Sequence, residues 1–237
     1  ILVIFIKYKP KIQTHVDWKS VFHIEKIKQT LSSNSDIFIR TILLLFSFYW
    51  FTDQSARFGA ETLAANHILL LIISFSAFFI DGFSFVTESL VGKAIGSNNF
   101  SSLKKAVRYS TELSLASSFI LALLFFTQGT YIISLLTDLD DVRLVAIEYL
   151  PFACFYIFIS FAAFQLDGIF IGATKTKEMR NTSILSVIVF LLSGITLISY
   201  WGLKGLWMAF IIYIIARALS LMLYLPRINL KRDLSTR

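Results

Sequence analysis

The sequence predicts an all-α integral membrane protein with six transmembrane helices, and three observations carry that prediction. Apolar residues make up 56% of the chain and charged residues only 16%, where a soluble domain carries about 25% charged residues. The polar residues are unevenly placed, gathering in short clusters between long apolar runs. Several of those runs reach the roughly 20 residues that a helix needs to cross a hydrocarbon core, where no water can satisfy an open backbone. The net charge of +7 does not point to nucleic acid, because the basic residues form no single patch and lie in the connectors between apolar runs.

Taken in order, the chain opens on an apolar stub, Ile1 to Ile6, that ends in Lys7, Tyr8, Lys9 and Pro10. A signal peptide has the reverse order, a basic region and then a longer apolar core. Residues 1–8 therefore read as the last turns of an upstream membrane helix, and the sequence as a fragment. Residues 9–35 are polar, with Ile12, Val16, Val21, Ile24, Ile27 and Leu31 at helical spacing. They form either a basic amphipathic helix on the membrane surface or a solvated linker, cytoplasmic in both cases. The region 36–226 holds the six apolar spans, near residues 37–58, 63–92, 110–136, 144–173, 181–201 and 203–225. Glycines Gly59, Gly92, Gly96, Gly129, Gly202 and Gly205 fall at span ends or turns, as helix punctuation should. A basic tail, residues 227–237, follows.

Charge fixes the orientation. The segment Lys7–Lys28 has six lysines, Lys93–Arg108 four basic residues, Lys175–Arg180 three and the tail four, 17 on one side. The opposite connectors hold only Arg57, Arg143 and Lys204. The basic side is cytoplasmic by the positive-inside rule, and six spans with both ends inside keep the alternation consistent.

Ionisable groups inside a membrane are costly and mark functional candidates. Setting aside Asp53, Arg57, Glu148 and Lys204 at the outer ends of their spans, six fall within them: Arg40, Asp81, Glu88, Glu112, Asp167 and Arg217. At 1.5 Å per residue, Arg40 and Glu88 both lie roughly 6 Å from the inner ends of their spans, and Asp167 and Arg217 about 10 Å. The expected structural pairs are thus Arg40 with Glu88 and Asp167 with Arg217. Asp81, roughly 16 Å deep, has no base left at its level. It either carries a proton or faces a water-filled cavity, which is what a proton- or cation-coupled carrier uses. Asp81, Glu88 and the span-edge Asn66 are the substrate or ion pathway candidates. Glu112 sits just inside its helix and can snorkel. Gly82, Gly168, Gly172 and Gly194 lie within spans, where small residues let helices approach, so packing is the role expected of them.

Other features carry less. Cys154 reads as a small buried hydrophobe. His15 and His23 lie in the polar linker and His67 beside Asn66, with no metal-ligand spacing. The run Asp138–Asp141 reads as a solvated outer loop. The sequence holds no Gly-Lys-Ser/Thr nucleotide loop, nucleophile elbow or paired metal histidines, so neither an enzyme nor a resident cofactor is expected, and any transport would draw on an ion gradient or a partner.

The strings DIFIRTILLL (from Asp36), LAANHILL (from Leu63), IDGFSFVTESLVGKAIG (from Ile80) and QLDGIFIGATKTKEMRN (from Gln165) resemble the multidrug and toxic compound extrusion (MATE) family, in its bacterial branch named for DNA-damage-inducible protein F. The resemblance runs from Asp36 to about Arg227. It implies one lobe, helices seven to twelve, of a twelve-helix transporter in the bacterial inner membrane, with the N-terminal six-helix lobe and the lipid bilayer as partners. The implied activity is export of small amphiphilic or cationic compounds, driven by H⁺ or Na⁺ through rocking of two lobes. Sodium-coupled relatives place acids in helices seven and ten. Here the matching stretches, Leu44–Phe48 and Phe155–Ile159, hold none. The alternatives are a non-transporting assembly subunit and a lipid-carrier flippase of the same superfamily, which would show more cavity-facing basic residues than Arg40 and Arg217.

Overall fold

The computed structural model of the chain describes residues 24–97 and 99–225. The stub, most of the linker with His15 and His23, and the basic tail lie outside the described residues. The chain divides into two compact units, residues 1–35 and 36–237. In the first, the described residues are helical and leave Ile24, Ile27 and Leu31 exposed.

The described residues form α1 (Ile24–Ala56), α2 (Ala60–Gly96), α3 (Phe100–Leu136), α4 (Asp140–Gly172) and α5 (Thr176–Tyr224). All five are long and apolar enough to cross a membrane. Several outrun their apolar spans. α3 begins ten residues before Ser110, where its apolar run starts, and takes in Lys104, Lys105 and Arg108. The backbone ladder is indifferent to side-chain polarity, and Lys and Arg are good helix formers. The starts are fixed locally. Asn99 accepts from the Ser102 amide at 3.0 Å and caps α3, satisfying one of the donors that a helix start leaves open. Asp140 and Asp141 place negative charge on the first turn of α4, where the helix dipole favours it.

Six spans meet five helices at α5. Its 49 residues would reach about 74 Å if straight, more than twice a bilayer core of about 30 Å. It is not straight. Gly202 has φ 56° and ψ −129°, a backbone region open to glycine and strained for any other residue. The Phe190 and Tyr213 rings lie 5.3 Å apart, although a straight helix would separate them by roughly 35 Å. The chain therefore reverses at Gly202 into two packed arms. Gly205 sits so close to the Leu197 carbonyl that a Cβ there would collide with it.

α4 packs against α2, α3 and α5. Gly168 abuts the Ser84 carbonyl and Gly172 the Glu88 carbonyl, the same sequence offset at both points, so α2 and α4 run parallel in fixed register. Ser84 Oγ donates to the Phe164 carbonyl at 2.7 Å across this seam. Gly194 takes the edge of Trp50. Gly82 differs from these three, because no atom lies where its Cβ would be. Between α1, α4 and the arms of α5 sits a block of rings: Tyr156 stacks on Phe210 at 4.5 Å, and Phe51 meets Trp207 at 5.0 Å. Cys154 is a buried free thiol. Phe119, Ile120, Leu123 and Phe126 on α3 are exposed, as lipid-facing side chains are.

Candidate functional site

One cavity, of about 540 Å³, gathers charge inside the apolar bundle. α2 supplies its longest wall. Ser74, Ala77, Phe78, Asp81, Ser84, Phe85 and Glu88 line it, each with another of the set three or four residues away and hence on one helical face. Rings and carboxylates alternate along that face. α1 adds Arg40 and Phe48, α4 adds Tyr156, Phe164 and Asp167, and α5 adds Arg217.

Asp167 is the hub. Its Oδ2 accepts hydrogen bonds from both Arg217 and Arg40. Asp167 and Arg217 are buried, and the Arg217 guanidinium also lies over the Phe164 ring, 5.9 Å from its centroid. Burying an ion pair is favourable only when the geometry is good and the remaining donors are used. Arg217 meets this with Asp167 on one side and an aromatic face on the other, while the Nε of Arg40 is a buried donor without a hydrogen-bond partner among the described residues.

The structure differs from the expected pairing at Arg40, which bonds Asp167 and makes no ion pair with Glu88. The α2–α4 register explains why. Glu88 is level with Gly172, five residues beyond Asp167 and so about 7.5 Å nearer the helix end. Depth counted from the edge of an apolar run misses this, because α2 continues as helix to Gly96 and an arginine side chain reaches past a full turn. The same register puts Asp81 about 3 Å along the axis from Asp167. Asp81 is thus close to bases, within electrostatic reach of Arg40, Arg217 and Asp167. Among the described residues neither Asp81 nor Glu88 has an ion-pair partner.

Asn66 is elsewhere. It is buried, donates to Ser55 Oγ at 2.8 Å and accepts from Trp207 Nε1 at 3.1 Å, tying α1, α2 and α5 together away from the cavity. Glu112 pairs with Arg108 at 2.7 Å on the exposed face of α3. At the α3–α4 turn, Arg143 holds Asp138 at 3.3 Å and Asp140 at 3.1 Å.

Two buried polar sites had no place in the sequence reading. Asp36 accepts from Arg180 at 2.6 Å and from the Thr176 hydroxyl at 3.1 Å, joining the start of the first apolar run to the start of α5. It stands at the edge of that run, where an acid looks like ordinary flanking polarity. Gln165 Nε2 donates to Thr87 at 2.8 Å and to Ser110 at 2.7 Å, linking α4 to α2 and α3. Single hydroxyls in apolar runs give no signal of such a network.

The MatE family model matches residues 37–196. The chain is 32% identical over 194 residues to DNA damage-inducible protein F of Escherichia coli, covering 82% of this chain and 42% of that protein. It is 24% identical over 178 residues to a probable multidrug resistance protein NorM of Photorhabdus laumondii, covering 72% of this chain and 39% of that protein. The crystal structure of the Vibrio cholerae MATE transporter VcmN in its bent form superposes with a TM-score of 0.83 at 15% identity, over 100% of this chain and 53% of that one. A MOP superfamily transporter from Pyrococcus furiosus gives 0.76 at 15% identity, over 87% and 50%. At such identities the structures speak for the fold, and the chain spans about two-fifths to a half of the length of these four proteins. The family model covers most of the helical bundle, and on that ground the chain belongs to the MatE family of membrane transport proteins.

Proposed function

We propose that this chain is the C-terminal six-helix lobe of a secondary active exporter of small amphiphilic or cationic compounds. The reversal of α5 at Gly202 supports a count of six crossings from five helices. In this reading both ends lie in the cytoplasm of a bacterium and the protein in its inner membrane. The N-terminal lobe packs against the α1–α2 side, where Leu45, Phe78 and Phe85 are exposed around the cavity. Rocking of the two lobes, driven by H⁺ or Na⁺, moves the cargo.

The observation that carries the reading is the wall of the cavity. Among the described residues Asp81 and Glu88 stand without ion-pair partners beside Phe78, Phe85, Phe48 and Tyr156. A protonated amine or a delocalised organic cation is held by a carboxylate and by ring faces together, since aromatic quadrupoles attract cations. The two guanidiniums are turned to Asp167, which disfavours an anionic lipid headgroup as cargo.

The test is equilibrium binding of radiolabelled tetraphenylphosphonium to the chain in lipid nanodiscs. Asp81→Asn should weaken binding about tenfold or more, the effect of losing about 1.4 kcal/mol. Unchanged affinity in both Asp81→Asn and Glu88→Gln would refute the reading of this cavity.

A further inference from the structure

The two guanidiniums on Asp167 are not equivalent. The Arg217 side chain is 3% exposed and that of Arg40 17%. Arg217 is also held from a second side by the Phe164 ring. Arg40 stands in the cavity wall, and its Nε is buried with no hydrogen-bond partner among the described residues. Both arginines bond the same oxygen of Asp167, and Asp167 needs only one of them for charge balance. A surplus cation with an unmet donor therefore faces an acid, Asp81, that lies nearly level with its present partner and has none of its own.

We propose that Asp81 is a one-charge cation site whose internal occupant is the Arg40 guanidinium. While Asp81 carries a proton, Arg40 stays on Asp167, as in this structure. When Asp81 ionises and no cargo is bound, Arg40 exchanges from Asp167 to Asp81, and Arg217 alone balances Asp167. The Asp81 O–H bond breaks, its electron pair stays on the carboxylate and its proton passes to water in the cavity, and no other covalent bond changes. Cargo that reaches Asp81 must then displace a tethered guanidinium, so an empty lobe does not carry an unpaired Asp81 carboxylate in its cavity wall.

The charged and titratable groups around Asp81 are Arg40 from α1, Glu88 from its own helix, Asp167 and Tyr156 from α4, and Arg217 from α5. α3 contributes none to this wall. Of the two cations, Arg217 is buried and held by a ring as well as by Asp167, so Arg40 is the one able to move. Glu88 is a poorer destination, because it lies farther along the helix from Asp167 than Asp81 does.

This inference deepens the proposed role of the cavity, and its test uses no cargo, so it can fail independently of the binding experiment. The wild-type chain, Arg40→Gln, Asp81→Asn and the double variant are unfolded thermally in nanodiscs at about pH 5 and about pH 8.5, as a double-mutant cycle. The expected result is additivity at the acid pH and a coupling of several degrees in midpoint at the alkaline pH. Additivity at both, or equal coupling at both, would overturn the exchange. Should Arg40→Gln not fold, infrared spectra of ¹⁵N-arginine-labelled protein decide. A guanidinium band that shifts with pH in the wild type and is fixed in Asp81→Asn supports the exchange. A band fixed in the wild type, or still shifting in Asp81→Asn, contradicts it.

Discussion

Asp167 carries two guanidiniums on one oxygen, and that inequality orders the consequences of removing each group. Asp167→Asn strands two cations in a low-dielectric setting, whereas Arg217→Gln leaves Asp167 with Arg40. Breaking a buried pair costs about 3–5 kcal/mol, less where water reaches it. Asp167→Asn should therefore lower the thermal midpoint in nanodiscs more than Arg217→Gln does. Adding Arg217→Gln to Asp167→Asn should restore only part of the loss, because Arg40 is still unpaired. Equal losses for the two single variants would remove Asp167 from the hub. Residue depth was legible in the sequence well enough to put Asp167 with Arg217. It failed for Arg40, since side-chain reach exceeds the error in helix position. Asp36 was hidden for a different reason: its burial depends on Arg180, a residue remote in sequence that only tertiary packing brings near.

At the scale of elements, small residues set the distances between helices. A Cβ on Gly168 would meet the Ser84 backbone, and backbone cannot give way as a side-chain tip does. Gly168→Ala should destabilise by about 1–3 kcal/mol through overpacking. Gly82→Ala meets nothing and should be neutral, or stabilising by up to about 1 kcal/mol from helix propensity. Chemical unfolding of the two variants side by side tests the contrast, and a Gly82→Ala loss as large as that of Gly168→Ala would contradict the seam. Gly202→Ala should also destabilise, by about 1–3 kcal/mol, because its positive φ is strained for any L side chain. The connectors before α2 to α5 were readable because apolar runs and glycines punctuate them, but six spans were expected where five helices form, because the turn at Gly202 does not interrupt α5. The parallel α2–α4 register was not, because it rests on two glycine contacts between helices separated by all of α3.

For the whole molecule, the proposed orientation places the basic connectors in the cytoplasm. Single cysteines at Ser101 and Lys177 should resist an impermeant thiol reagent added to intact cells, while one at the exposed Asp140 should react. Labelling at Lys177 from outside would reverse the topology. The cation-export reading of the Asp81 cavity is tested most directly by ethidium export from efflux-deficient cells that make this chain together with the N-terminal half of its Escherichia coli relative. Export is expected with both halves, none with this chain as a monomer, and loss of export or of its pH dependence in Asp81→Asn. Export by Asp81→Asn equal to wild type across the pH range would contradict it.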